Sequence, residues 1–169
     1  MSNTINKSIA PPRAAIIVPH YNNHARLSCC LAALHENGLS GVEVVVVDNG
    51  AEPSQVEQLS VFADLRILTE PEKVAAAARN RGDRETSADI LMYNDADCVP
   101  SGNWIETAMR LLADDKVIGG RIDMFDESEP PRTGADPFEA VLASNQQLYV
   151  EKKGFSATAT WSPPDEFLR

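Results

Sequence analysis

The sequence predicts an α/β fold: a mostly parallel sheet with helices on both faces. Two observations carry this: short apolar, β-branched runs alternate with segments of helical period down most of the chain, and a helical segment separates each such run from the next. A third is size, since 169 residues make one ordinary domain and 43% hydrophobic with 24% charged residues is the composition of a packed protein. Strands buried on both sides read as continuous apolar runs, and the runs here do.

The elements follow in order. Residues 1 to 13 are polar, end in Pro11-Pro12-Arg13 and read as a flexible tail. Ala14 to Val18 is an apolar run that Pro19 is expected to stop. From His24 to Asn37 the residues Leu27, Cys30, Leu31 and Leu34 fall on one helical face, with Gly38 as the stop. Val42 to Val47 is almost purely β-branched and predicts a second strand. Ser54 to Glu57 has capping-box spacing for a short helix, and Leu65 to Leu68 predicts the third strand. Pro71 suits the first turn of an alanine-rich helix over Val74 to Arg79 that Gly82 is expected to end. Ala88 to Tyr93 predicts the fourth strand. Asn103 to Glu106 again has capping-box spacing, and Trp104, Ala108, Leu111 and Leu112 share a helical face before strand-like Val117 to Ile122. Beyond Phe125 an acidic, proline-bearing stretch precedes an expected helix from Pro137 to Tyr149.

Charge and cysteine usage narrow the function. Fifteen basic against 25 acidic residues leave a net charge of −10, which repels nucleic acid and anionic lipid. An anionic substrate then needs a local device such as a metal ion. Three cysteines, two of them adjacent, suit neither a disulfide framework nor a zinc site, so a reducing compartment is expected. The start lacks the basic-then-apolar pattern of a signal peptide, and no apolar run approaches the roughly 20 residues of a membrane span. The expected location is the cytoplasm, with a peripheral seat on a membrane as the variant.

In open parallel sheets, ligands sit beyond the carboxyl ends of the strands. Three such positions are unusually polar: Pro19-His20-Tyr21-Asn22-Asn23, Asp48-Asn49-Gly50 and Asn94-Asp95-Ala96-Asp97-Cys98 are expected to converge on one crevice. In the Asp-x-Asp step, Asp95 and Asp97 can hold a hard cation such as Mg²⁺ or Mn²⁺ and clamp a diphosphate; equally, they can satisfy loop amides ahead of the next helix. Asp48 can accept from a base or ribose, or simply make a turn. Tyr21 can stack on a base or cover the core edge, and Arg79 can pair with phosphate or face solvent. His20, His24 and His35 lack ligand spacing, and Cys29 and Cys30 read as small core residues. Neither a P-loop nor a Gly-x-Gly-x-x-Gly turn follows the first strand, which argues against P-loop NTPases and Rossmann dehydrogenases.

Four segments in order, Val18 to Asn22, Val45 to Gly50, Ala77 to Gly82 and Asn94 to Cys98, together resemble the successive motifs of glycosyltransferase family 2, over residues 14 to 124. The resemblance implies a GT-A fold, a divalent metal, a nucleotide-diphosphate sugar donor with UDP-sugars first, inversion at the anomeric carbon, and a saccharide or lipid-linked acceptor hydroxyl. By position, Pro19, Tyr21 and Asp48 would line the nucleoside pocket, Arg79 would face the donor, Asp95 would serve ribose and metal, and Asp97 would ligate the metal. Residues 125 to 169 resemble the beginning of the family's acceptor side. Gly154 to Ala159 approaches that region and Thr160 to Phe167 does not continue it, so the expectation is a truncated or frameshifted product that binds donor, with no catalytic base assigned; Asp165 and Glu166 are the late carboxylates nearest to where one is wanted.

Overall fold

The computed structural model describes residues 13–50, 65–111, 118–120, 122, 160 and 161. Its core is a four-stranded sheet in the order β3-β2-β1-β4, built from β1 (Ala14–His20), β2 (Val42–Asp48), β3 (Leu65–Thr69) and β4 (Ile90–Tyr93). All three pairings are parallel, with Ala14 opposite Val42 and Ile90, and Val44 opposite Leu65. Among the described residues the helices are α1 (His24–Glu36), α2 (Ala75–Glu85) and α3 (Trp104–Leu111). A two-residue strand β5 (Ile118–Gly119) pairs antiparallel with β6 (Thr160–Trp161).

Strand alternation sorts the core into two layers. Ala14, Ile16, Val18, Val44, Val46 and Met92 meet α1 through Leu27, Cys30, Leu31 and Leu34, and α3 through Ile105. Ala15, Ile17, Val45, Val47 and Leu91 face the other way and meet Ala78 of α2. The sheet is thus mostly parallel and clad on both faces, as the alternating pattern predicts.

Local chemistry sets the helix ends. The Asn23 side chain accepts from the Arg26 N–H at 3.4 Å to open α1, and Gly38 leaves it at φ +82°. Asn37 then joins two helices, since Nδ2 donates to the Ala33 carbonyl (2.9 Å) and Oδ1 accepts from the Ile105 N–H in the first turn of α3 (3.2 Å). That contact caps α3 from a distant residue, while Oδ1 of Asn103 accepts from the Ser101 hydroxyl (3.2 Å) in place of the expected capping box.

Four expectations are corrected. Pro19 does not stop β1, which runs on to His20 opposite Asp48. The Asn94 N–H donates to the Ile17 carbonyl, so by alternation the Pro19 nitrogen also faces the β4 side, where pairing has ended and no donor is wanted. Gly82 does not end α2, which continues to Glu85. A Cβ at Gly82 would stand 2.6 Å from Cγ2 of Ile17, so glycine there lets helix and sheet approach. Pro71 precedes α2 rather than joining its first turn, because extended Val74 occupies the cap position. On α3, Ile105 is the buried residue, Trp104, Ala108 and Met109 pack beside it, and Leu111 is exposed. The expected helices at 54–57 and 137–149, residues 1–12 of the tail and Leu112 lie outside the described residues, whereas Arg13, its last residue, donates its N–H to the Gly41 carbonyl at 3.0 Å.

Candidate donor-binding cleft

Beyond the carboxyl ends of β1 and β4 the sheet divides. The ladder between these strands ends at Ile17 opposite Tyr93, whereas β1 stays paired with β2 up to His20 opposite Asp48. This is where the strand order reverses, the place at which open α/β sheets bind ligands. A cleft of about 240 Å³ opens there. Pro19, His20, Tyr21 and Asn23 line it from the end of β1, Asn49 from β2, Ala75 from the start of α2, and Asp95, Ala96 and Asp97 from the loop after β4. The three polar segments expected to converge do so.

The loop after β4 hangs on a buried amide. Asn94 is 4% exposed, and its Nδ2 donates to the carbonyls of Asp95 (3.1 Å) and Cys98 (3.0 Å) and to Sγ of Cys30 (3.2 Å). With the Cys98 N–H bonded to the Asp95 carbonyl (2.9 Å), the turn that presents Asp95 and Asp97 is tied to α1 beneath it. Arg79 projects from α2, and its Nη2 donates to Oδ1 of Asp95. Arg79 therefore meets the cleft through Asp95. Asp97 is the more open carboxylate, with its side chain 56% exposed and Oδ2 3.9 Å from Nη1 of Arg26. Burial pushes the Cys30 thiol up to about 12 and the Cys98 thiol up to about 11, so neither is a thiolate nucleophile at neutral pH.

The wall on the β2 side is equally fixed. Asn49 is buried, and its Nδ2 donates to the carbonyls of Glu70 (3.1 Å) and Glu72, pinning the segment that leads from β3 to α2. Lys73 from that segment lies over the Tyr21 ring, 5.7 Å from its centroid, with its stem against Gly50. Tyr21 is 53% exposed and offers a platform at the mouth. Asn22 takes φ +50°, a left-handed turn that asparagine tolerates, where the chain swings from β1 towards α1.

Behind this wall Asp48 is 3% exposed and His20 1%. Nδ1 of His20 stands 3.4 Å from Oδ1 of Asp48. Burial lowers the pKa of His20 and outweighs the opposing effect of Asp48, which keeps the imidazole neutral at pH 7. His20, Asn49 and Ala75 carry no assigned role in the sequence reading. The signal for His20 was alternation, since it continues the row Ile16, Val18 onto the α1 face, as Asp48 continues Val44, Val46.

The Glycosyl transferase family 2 model matches residues 15–163. The chain belongs to glycosyl transferase family 2. This family 2 chain is 33% identical over 156 residues to glycosyltransferase AglE of Haloferax volcanii, a match covering 87% of the chain and 51% of AglE. Among solved structures it is similar to the mannosyltransferase PcManGT of Pyrobaculum calidifontis, which is in complex with GDP-Man and Mn²⁺ (29% identity, TM-score 0.57, covering 66% of this chain and 37% of that one). It shares its fold with S. aureus TarS residues 1–349 (16% identity, TM-score 0.64, 90% of this chain and 47% of that one). The chain therefore spans about half the length of AglE and of the TarS structure, and less of PcManGT. No helix among the described residues is long and apolar enough to cross a membrane.

The donor set at the β4 loop fits a hard divalent cation: Asp95 and Asp97 offer carboxylate oxygens to one cleft, and Asp97 is open to solvent. Among the described residues no group of three or more histidines, cysteines and acidic residues is placed to hold a metal. Mg²⁺ commonly takes one or two carboxylates and fills its remaining positions with water and phosphate oxygens.

Proposed function

We propose that this chain supplies the donor-binding half of a transferase that moves a sugar from a nucleotide-diphosphate sugar to an acceptor hydroxyl, with inversion and with a divalent cation. The observation that carries this reading is the gathering of Pro19, Tyr21, Asp95 and Asp97 on one cleft at the switch point of the sheet, with Asp48 directly behind it. Residues 14 to 124 form this half, and residues 125 to 169 begin the acceptor side.

In this reading the nucleoside lies between Pro19 and the Tyr21 ring, with Asp48 accepting from a base N–H or a ribose hydroxyl. Asp95 and Asp97 hold Mn²⁺ or Mg²⁺, which when bound neutralises the diphosphate as it leaves. Arg79 orients Asp95 and adds a positive charge beside the phosphates in an otherwise acidic protein. The acceptor hydroxyl needs a base within hydrogen-bond reach, a role given to no residue of the described cleft. The GDP-Man and Mn²⁺ in the PcManGT complex make GDP-sugars a donor class to test beside UDP-sugars.

Calorimetry with UDP and with GDP, each in Mn²⁺ and in chelator, tests the proposal. The expected result is binding of one nucleotide only when metal is present, with the metal dependence lost in Asp97→Asn. Equal affinity in metal and chelator removes the metal from the reading, and no binding of either nucleotide removes the donor site.

A further inference from the structure

Two polar residues end two apolar rows of the sheet. Ile16 and Val18 lead to His20 on β1, and Val44 and Val46 lead to Asp48 on β2, all on the face that α1 covers. His20 and Asp48 are partners in register, and their side chains are 0% and 5% exposed. An apolar residue at position 20 would extend the row at no desolvation cost. The imidazole instead sits with both ring nitrogens buried, and neither completes a hydrogen bond of full geometry. An unsatisfied buried polar group is costly, so this placement works against stability at the back wall of the cleft. Such local conflicts gather at functional sites.

A side-chain acceptor stands beside the ring: Oδ1 of Asp48 lies 3.4 Å from Nδ1. A neutral imidazole has one donor and one acceptor, and the hydrogen bond made by one nitrogen sets the state of the other. We propose that His20 is a positioning residue of the donor site: it donates Nδ1–H to Oδ1 of Asp48 and holds that carboxylate in the orientation in which it meets the base or ribose. The arrangement also preserves the negative charge of Asp48, because a donor that carries no charge of its own orients the carboxylate without neutralising it. This inference rests on the reading of Asp48 as a nucleoside contact.

The test uses the full chain, with UDP and GDP in Mn²⁺ as probes. Nitrogen-15 NMR of the histidine rings at pH 7.5 is expected to show His20 with its proton on Nδ1 and a bare Nε2; a proton on Nε2 overturns the proposal without any variant. His20→Leu fills the space but cannot donate, and is expected to weaken nucleotide binding roughly tenfold, the loss of about one hydrogen bond. His20→Asn returns an N–H near the Nδ1 position and is expected to bind within about threefold of wild type, a rescue that a merely structural role would not give. Asp48→Asn separates the two levels of the argument. If it binds as wild type, Asp48 is no nucleoside contact and both readings fall. If it is weak while His20→Leu binds normally, or if His20→Asn is as weak as His20→Leu, the role of His20 alone is overturned.

Discussion

Replacing Gly82 by alanine sets two known effects against each other. Helix propensity alone favours alanine by about 1 kcal/mol at an interior position, and Gly82 lies inside α2. The sheet opposes it, because the new methyl would stand 2.6 Å from Cγ2, 3.1 Å from Cγ1 and 3.3 Å from Cδ1 of Ile17. Carbon atoms at rest lie about 3.5–4.0 Å apart, so helix and strand must separate by roughly 1 Å. Ile17 cannot yield, since it is fully buried in β1 between two hydrogen-bonded neighbours. Overpacking of this kind costs about 1–3 kcal/mol, and a clash with three atoms of an immobile side chain belongs at the upper end. The net expectation for Gly82→Ala is a loss of about 2 kcal/mol, or roughly 4–8 °C in Tm. Urea unfolding of wild type, Gly82→Ala, Ile17→Ala and the double variant measures it, the double variant losing less than the sum of the two single losses. Because α2 also carries Arg79 to Asp95, the single variant is expected to weaken nucleotide binding as well. A neutral or stabilising Gly82→Ala would refute the close approach and leave propensity as the governing term.

Three further outcomes follow from the cleft walls. Asn49→Asp is expected to destabilise more than Asn49→Ala in chemical denaturation, because it turns an acceptor towards the Glu70 and Glu72 carbonyls that the amide now serves; equal losses would show that the clamp is not electrostatic. Arg79→Leu is expected to cost binding of a nucleoside diphosphate more than of the bare nucleoside in parallel titrations, since Arg79 donates to Asp95 and on the proposed reading serves the phosphates; an equal loss for both would remove it from the phosphate end. Stability is expected to hold above about pH 7 and to fall as the pH drops through 6.5, the ordinary value of histidine, because the unfolded chain then binds a proton that buried His20 resists. Desolvation sets this direction, His24 of α1 adds to it and Asp48 of β2 opposes it. Denaturant unfolding at pH 7.5 and 5.8 is expected to differ more in wild type than in His20→Asn, and identical differences would assign the effect to other groups.

Much of this was legible in one dimension. The buried face of α1 came from spacing alone, and the valine run of β2 allowed no other reading, because both patterns are local. The errors share a cause. Pro19 and Gly82 were read by rules for an isolated strand and helix, whereas their surroundings decided the outcome: β4 has stopped pairing where Pro19 would need a donor, and Ile17 needs the space that Gly82 leaves. Exposure of Leu111 is likewise a matter of where α3 lies on the sheet. At the cleft, strand-end polarity was enough to gather Tyr21, Asp95 and Asp97. The clamp formed by Asn49 joins residues 21 and 23 positions apart and has no sequence period to announce it.

The floor of the cleft is cut by the point at which the β1–β4 ladder stops, three residues short of where the β1–β2 ladder stops. Its depth is thus a property of backbone register, and the side chains at its rim can change without reshaping it. On the proposed donor reading, substitutions at Tyr21, Asn23 and Lys73 are expected to change nucleotide preference while the socket persists, and substitutions at Ile17 or Pro19 to alter the socket itself.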